Sequence, residues 1–297
     1  MQGKKIGRRW LNRVLGLVAL LSLMACEKEI PGSQKSTVDV DGNLKVQVYQ
    51  IAEYPFSAIT RVVGADLCNR LNYAVYDMDG MRVKQVNQQS SDSGFGTASF
   101  TLEEGSYQVV VVGHSSNGNP TMTNLEKIQF TNAQGFSDTF LHYGTVEVEK
   151  EEKKLEVGLQ RIVSMCRFVI KDAIPEGVAQ MRFYYTGGSG AFSALTGLGC
   201  VNSKQQVTYS VQAGATNTNY DLYTILHQEE DAIDLVATAY DASGNTLYER
   251  KFEVPMKRNR ITLVSGDFFE GGSGSSQGMT ITIAINGMWD SEWNMTY

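Results

Sequence analysis

Residues 73–83, Tyr-Ala-Val-Tyr-Asp-Met-Asp-Gly-Met-Arg-Val, contain the pattern that decides the fold class. Two runs with high strand propensity flank an Asp-Gly pair, and Gly80 can take the positive φ that a tight hairpin turn requires. The same arrangement returns in residues 236–248, Val-Ala-Thr-Ala-Tyr-Asp-Ala-Ser-Gly-Asn-Thr-Leu-Tyr. Both stretches place an aromatic residue just before a turn that contains Asp and Gly. They predict two β-hairpins of the same kind.

The chain around these hairpins also alternates with a period of two. Leu44, Val46 and Val48 alternate with polar residues, and residues 95–102 form another alternating run. This period is typical of half-buried strands, and no segment keeps the apolar period of 3.6 residues that a helix requires. The sequence therefore predicts an all-β protein with the strand spacing of β-sandwiches.

The N-terminus has the features of a secretory leader, residues 1–25. Five basic residues precede an apolar run, residues 14–25, that is shorter than the roughly 20 residues needed to cross a bilayer. Arg8 and Arg9 raise the alternative of twin-arginine export, but the residues after them fit that pattern poorly, so we expect general secretion.

Residues 23–26, Leu-Met-Ala-Cys, resemble the bacterial lipobox, in which signal peptidase cuts before a lipid-bearing cysteine. The alternative is a simple leader with a chance cysteine. The small residue before Cys26 and the polar residues after it favour lipidation of Cys26 by acyl chains such as palmitate. Several acyl chains would anchor the protein stably in a membrane.

Net charge and cysteine count exclude several classes of protein. The chain has 26 basic and 32 acidic residues, and loss of the leader leaves 21 against 32, a net charge of −11. Such an acidic chain is a poor partner for nucleic acid. The three remaining cysteines, Cys68, Cys166 and Cys200, allow at most one disulfide, and buried free thiols are an equal alternative.

Composition divides the mature chain into three parts. Residues 26–40 are polar and without periodicity, which predicts a flexible tether. The charged run at residues 147–154 separates two stretches with core-like character, as a strand edge or an interdomain connection would; the alternative is an interaction patch. We therefore expect one β-sandwich over residues 41–150 and a second over residues 151–297.

No residue pattern points to catalysis, a metal or a cofactor. His114, His142 and His227 lie singly in different segments, without a partner at metal-ligand spacing. Residues 77–80 lack the further oxygen ligands of a calcium loop, and the glycine-rich runs do not precede a helix. The sequence predicts no enzyme, and carboxylates are too numerous for any pair to stand out.

Several stretches together resemble the fimbrillin-like lipoproteins of the Bacteroidetes, which are subunits and membrane-proximal anchors of type V pili. The stretches, besides the lipobox, are residues 73–80 followed by 102–107, residues 159–168, and residues 254–266 followed by Phe268 and Phe269. The resemblance implies two tandem transthyretin-like Greek-key β-sandwiches and a role in assembly through β-strand contacts.

The resemblance also implies candidate processing and exchange sites. Polymerising subunits of the family exchange a strand after a protease cuts behind an arginine, and Arg61 lies where such a cut would fall; the alternative is an ordinary surface arginine. An uncut subunit would keep its first strand and could end the polymer. Near the other end, Thr280, Ile281, Thr282, Ile283, Ala284 and Ile285 alternate strictly. This segment would pair within its own domain or serve as a donor strand.

These features together predict a non-enzymatic outer-membrane lipoprotein, exposed on the cell surface, that serves as an anchor or accessory subunit of fimbriae in adhesion. Its partners would be other fimbrial subunits, with a host or bacterial surface protein or glycan as a further target. The alternative is a surface glycan-binding lipoprotein of a polysaccharide-uptake system. That alternative depends on Trp289 and Trp293, which would form a sugar-stacking platform or else pack against the last strand.

Overall fold

The computed structural model describes residues 42–52, 54–55, 68–131, 136–270 and 279–284. Within these ranges there is no α-helix, and so no helix with the length and hydrophobicity that crossing a membrane requires. The prediction of an all-β protein is confirmed. The strands are β1 Leu44–Ile51, β2 Tyr54–Pro55, β3 Arg70–Tyr76, β4 Arg82–Gln89, β5 Thr97–Phe100, β6 Gly105–His114, β7 Thr121–Asn124, β8 Lys127–Gln129, β9 Thr139–Val148, β10 Lys153–Arg161, β11 Ser164–Ile170, β12 Gln180–Gly188, β13 Ala191–Phe192, β14 Ser203–Ser210, β15 Thr218–Thr224, β16 Glu230–Tyr240, β17 Thr246–Lys257, β18 Ile261–Gly266 and β19 Met279–Ala284.

Sheet I is formed by the first half of the chain and encloses its own core. Its strand order is β2-β1-β10-β9-β6-β3-β4, and β5 pairs with β1. Alternate side chains from β1, β10 and β5 share one hydrophobic cluster with alternate side chains from β3, β4, β6 and β9. Because both parts of the sheet contribute to the same cluster, the sheet must fold over so that its two parts face each other.

Strand β10 connects the two parts of sheet I. Its residues 153–159 pair in parallel with β1, and its last two residues pair with β9. The strand begins inside the charged run of residues 147–154 and belongs to sheet I by its pairing. Ile162 and Val163 connect it to β11, the first strand of the next sheet.

The second half of the chain forms two four-stranded sheets. Sheet II has the order β15-β11-β18-β19, and sheet III has the order β14-β12-β16-β17. Inward-facing residues of both sheets, such as Phe168 on β11 and Phe183 on β12, meet in one cluster with ring centroids 5.2 Å apart. This core is the largest in the described part of the chain.

A third hydrophobic cluster, which we call the junction cluster, joins the two halves. The β6 run Val109–Val112 buries both of its faces: Val109 and Val111 enter the core of sheet I, while Val110 and Val112 enter the junction cluster. Small sheet IV, of order β13-β8-β7, covers this outer face with Met122 and Ile128, and further residues come from both halves of the chain. The two halves therefore share buried apolar surface rather than a bare linker.

Arg161 adds a buried ion pair at this junction. Its Nε and Nη2 donate to the two carboxylate oxygens of Asp138 at 2.7 and 2.8 Å, and the two side chains are only 1% and 9% exposed. Its Nη1 donates to Oδ1 of Asn259 at 3.2 Å, in the turn between β17 and β18. The guanidinium carbon lies 4.9 Å from the ring centroid of Phe140. The last residue of β10 thus ties sheet I to a turn of the second half.

The two hairpins predicted from the sequence have the same backbone geometry. In the first turn, Asp77 accepts hydrogen bonds from the amides of residues 79 and 81 through Oδ1, at 3.1 and 2.8 Å. In the second turn, Asp241 accepts from the amides of residues 243 and 245 at 2.9 and 2.8 Å. Gly80 and Gly244 have φ values of 80° and 85°. Residues 77–81 and 241–245 are therefore equivalent, position by position.

Asp172 holds the chain that leaves β18, and its replacement by asparagine should destabilise the protein. Its carboxylate accepts hydrogen bonds from the amides of Phe268, Phe269 and Glu270 at 2.8, 2.6 and 2.9 Å. The side chain of asparagine carries no charge, and its NH₂ group, which cannot accept a hydrogen bond, would face one or more of these backbone N–H groups. We expect Asp172→Asn to lower the free energy of unfolding in urea by about 2–3 kcal/mol. Asp241→Asn, in an exposed turn, is the control and should cost less; equal losses would contradict this role of Asp172.

Candidate functional site

The residues singled out in the sequence fall into two groups. Cys26, Arg61, Ile285, Trp289 and Trp293 lie outside the described residues, as do the leader and the tether. The other members of the strand-exchange segment, residues 280–284, lie in β19. The structural candidates for strand exchange are therefore β1, which precedes Arg61, and β19.

Strand β1 lies inside sheet I with neighbours on both edges. On one edge it pairs in parallel with β10, from Leu44 opposite Lys153 to Ile51 opposite Leu159. On the other edge it pairs antiparallel with β5 and then with β2. Its apolar residues Leu44, Val46 and Val48 are at most 2% exposed. Loss of β1 would therefore leave an open slot with free backbone groups on both sides and a row of uncovered apolar side chains.

Strand β19 pairs with the protein's own β18. The register is antiparallel and unbroken, from Ile261 opposite Ala284 to Gly266 opposite Met279. Met279 and Ile281 pack against the large core of sheets II and III, and Thr280 is exposed. In the structure, β19 thus pairs with a strand of its own chain, and it forms one edge of sheet II among the described strands.

The edge formed by β19 lacks the features that protect an edge strand. Its sequence, Met-Thr-Ile-Thr-Ile-Ala, contains no charged residue, proline or glycine. The edge strands β4, β14, β15 and β17 each contain at least one charged residue, and β17 also contains Pro255. Charges and proline discourage pairing with a foreign strand. Of these edges, β19 is the one best suited to accept another strand.

A groove of about 570 Å³ runs between β19 and the edge of sheet III. It is lined by Met279, Thr280 and Ile281 on one side and by Ala232, Glu253 and Pro255 on the other. A strand added to β19 would project every second side chain toward this groove and cover the partly exposed Met279 and Ile281. The residues of the second side were not predicted, because they are distant in sequence; Pro255 within a strand was the one local sign of an edge.

The described residues contain no metal-binding constellation. No group of three or more His, Cys, Asp and Glu in these ranges could hold a metal ion. Cys68 and Cys166 are buried free thiols whose pKa values are raised by burial, and Cys200 is free and exposed. His142 is half-buried, and Nδ1 of His227 lies 3.1 Å from the carbonyl oxygen of Gly199.

His114 is held in the neutral form by its surroundings. Its Nδ1 accepts from the amide of Ser116 at 3.1 Å, so Nε2 carries the proton and donates to Oδ1 of Asn72 at 2.8 Å. Burial lowers the pKa of His114 from 6.5 to about 3, and the nearby Arg70 acts in the same direction. The histidine is thus a structural residue that resists protonation.

This pKa makes stability depend on pH. Between pH 6.5 and 3 the unfolded chain binds a proton at His114, whereas the folded chain does not. The free energy of unfolding is therefore unaffected by the protonation of His114 above pH 6.5 and decreases as the pH falls below that value. From pH 6.5 to 5 we expect a loss of about 2 kcal/mol in the free energy of unfolding. Burial raises the pKa of Asp138, which acts in the opposite direction. The test is urea unfolding of the wild type and of His114→Gln at several pH values. The stability of the variant should depend less on pH, and parallel profiles would show that His114 is not the titrating group.

Comparison with solved structures places this fold among proteins of the Bacteroidetes. A "putative adhesin" from Bacteroides ovatus has a TM-score of 0.52 and 14% identity, over 75% of this chain and 87% of that chain. "Putative polysaccharide binding proteins (DUF1812)" from Bacteroides thetaiotaomicron have a TM-score of 0.52 and 12% identity, over 85% and 99%. The fimbrial anchor protein Mfa2 from Porphyromonas gingivalis has a TM-score of 0.46 and 11% identity, over 84% and 97%. The two structures with TM-scores of 0.52 confirm the predicted resemblance at the level of the fold.

Sequence comparison identifies the family itself. No curated protein matches the chain. Residues 35–297, which include every described strand, match the group described as "Family of unknown function (DUF6562)". The chain belongs to the DUF6562 family.

Proposed function

We propose that this protein is a non-enzymatic subunit of surface fimbriae, an anchor or accessory subunit that meets its neighbours through β-strand contacts. The observation that carries the proposal is the pair of strand sites: β1, which is paired on both edges within sheet I, and the unprotected edge of β19 beside a groove. Main-chain hydrogen bonds to such an edge supply affinity, and alternate side chains in the groove supply specificity. The shared fold with a protein described as a "putative adhesin" supports the same role.

The proposal includes an outer-membrane lipid anchor at Cys26 and a tether over residues 26–40, followed by two transthyretin-like Greek-key sandwiches. The two clusters enclosed by sheet I and by sheets II and III support the two sandwiches. With its membrane end fixed, the protein would present its distal half to other subunits.

Retention of β1 is part of the proposal. An uncut chain keeps β1 between β10 and β5 and can end a polymer, whereas cleavage after Arg61 would open the slot for a donor strand. Mass spectrometry of the mature protein from outer membranes distinguishes the two states. An acylated N-terminal Cys26 is expected for the anchor. An N-terminus at Val62 would instead identify the protein as a polymerising subunit.

The β19 edge is tested with a matched pair of lysine variants. Thr280→Lys puts a charge on this edge, and Thr246→Lys puts the same charge on β17, which already contains charged residues. Both sites are exposed, so both variants should unfold like the wild type. We expect Thr280→Lys to reduce the protein recovered with sheared fimbriae by about tenfold, as when a strand contact worth about 1.4 kcal/mol is lost. Equal recovery of the two variants would remove β19 from the contact.

A surface glycan-binding lipoprotein is the second candidate. It is favoured by the shared fold with proteins described as polysaccharide binding. The predicted platform of Trp289 and Trp293 would hold the sugar by stacking. Binding on a glycan array that disappears with Trp289→Ala, while folding is retained, would support this function; an array without any signal would remove it.

A further inference from the structure

An exposed apolar patch surrounds a cavity at the turn between β3 and β4. The cavity has a volume of about 650 Å³, and its apolar lining includes Met78, Met81, Leu125 and Leu195. The side chains of Met78, Met81 and Leu195 are 57%, 69% and 44% exposed. They are half of the exposed large hydrophobic residues in the described part of the chain. A patch of this kind marks an interaction surface when the fold does not require it.

The second hairpin shows that the fold does not require these methionines. The equivalents of Met78 and Met81 are Ala242 and Asn245, in a turn with the same hydrogen bonds. The backbone bond from residue 77 to the carbonyl of residue 81, 2.9 Å long, also has its counterpart of 3.0 Å in the second turn. The turn therefore forms without large apolar side chains at either position.

The exposure of Val83, by contrast, is common to both hairpins. Val83 and its equivalent Leu247 are both 42% exposed. An apolar side chain at that position belongs to both hairpins, whereas the methionines belong to the first hairpin alone. Leu247 consequently serves as a control for apolar exposure without a cavity.

Charges on the rim indicate which partner fits. Asp79 and Glu126 line the cavity with exposed carboxylates, and neither forms an ion pair with another described residue. The one cation of the lining, Arg82, donates through Nη1 to Oε1 of Gln85. A second copy of this chain, with a net charge of −6, or −11 without the leader, would be repelled.

We propose that this patch binds a segment of a different protein that inserts one apolar side chain, flanked by Lys or Arg, into the cavity. The apolar side chain would pack on Met78, Met81 and Leu195, since methionine adapts to varied apolar shapes. The flanking cations would meet Asp79 and Glu126. The patch combines Met78 and Met81 from the first half of the chain with Leu195 from the second, and it shares no residue with the groove beside β19. The proposal does not depend on the fimbrial function.

The test uses the full chain in detergent with ¹³C-methyl-labelled methionine, so that Met78 and Met81 report directly on the cavity. The probe is a nonapeptide with Lys-Leu-Lys at its centre and Gly-Ser flanks. Matched peptides carry Lys-Ala-Lys or Glu-Leu-Glu instead. We expect saturable shifts of these two methyl resonances with the first peptide, and an affinity weaker by about tenfold for each of the other two.

Variants copied from the second hairpin complete the test. Met81→Asn and Asp79→Ser install the residues of positions 245 and 243, and both should leave folding intact. We expect Met81→Asn to weaken binding by about tenfold and Asp79→Ser, which removes one exposed charge, by about two- to fivefold. Leu247→Ala should bind like the wild type. The proposal is overturned by the absence of saturable shifts at Met78 and Met81, by equal binding of the acidic peptide, or by unchanged binding to Met81→Asn. Concentration-dependent shifts without peptide would assign the patch to self-association and also overturn it.

Discussion

Replacing Arg161 by methionine is expected to lower the free energy of unfolding by about 3–5 kcal/mol, because it leaves the buried carboxylate of Asp138 without its cation. Both charged groups are nearly inaccessible to water, and two hydrogen bonds join them. The same change removes the bond to Asn259 and the stacking on Phe140. The loss should appear in urea unfolding at pH 7.

The double variant Arg161→Met with Asp138→Leu separates the ion pair from the packing. Removing both charges leaves no unpaired charge in the interior, so the double variant should be more stable than the sum of the two single losses predicts. A loss below about 1 kcal/mol for Arg161→Met alone would show that the pair is solvated and contributes little.

Placing a carboxylate in β1, by Val46→Asp, should cost about 4 kcal/mol or more, a large part of the roughly 5–15 kcal/mol that stabilises an ordinary domain. Val46 is 0% exposed and lies in the core of sheet I, between β10 and β5. Circular dichroism and urea unfolding measure the effect.

Gln47→Asp is the matched control, since it adds the same charge one residue later, on the exposed face of the same strand. Glu156 lies opposite Gln47 on β10, so we expect a loss of only about 0.5–1 kcal/mol. Similar losses for both variants would mean that β1 does not have one buried and one exposed face, and that it does not complete the core of sheet I.

The local features of the fold were predictable from the sequence because they depend on neighbouring residues. Alternation at Leu44, Val46 and Val48 marks a strand with one buried face, and it becomes β1. The Asp-Gly pair predicts a positive φ at Gly80, which the structure confirms, and Gly244 in the second turn has the same conformation. In these cases the backbone preference and the apolar pattern agree.

The pairing of distant strands could not be predicted in the same way. The charged run of residues 147–154 is compatible with a strand edge or an interdomain connection, and nothing in it indicates that Leu155, Val157 and Leu159 of β10 pack against the first half of the chain. The parallel pairing of β10 with β1 joins segments more than a hundred residues apart, and no local signal records it. The unbroken run Val109–Val112 did contain a sign of burial on both faces, because a half-exposed strand would alternate.

The candidate site was predictable only in part. The alternation of residues 280–284 identified β19, but the groove beside it needs Ala232, Glu253 and Pro255 from other strands. Met78 and Met81 were visible as part of a hairpin turn. The apolar patch could not be predicted, because it also contains Leu195, which is distant in sequence and lines the same cavity.

The most direct test of the fimbrial function is quantitative mass spectrometry of surface fimbriae sheared from cells that express the protein, with the outer-membrane fraction analysed in parallel. If the protein is an anchor or accessory subunit, it should be enriched in the fimbrial fraction, in smaller amount than the main subunit. Its presence in the outer membrane together with its absence from every fimbrial fraction would contradict the proposed function.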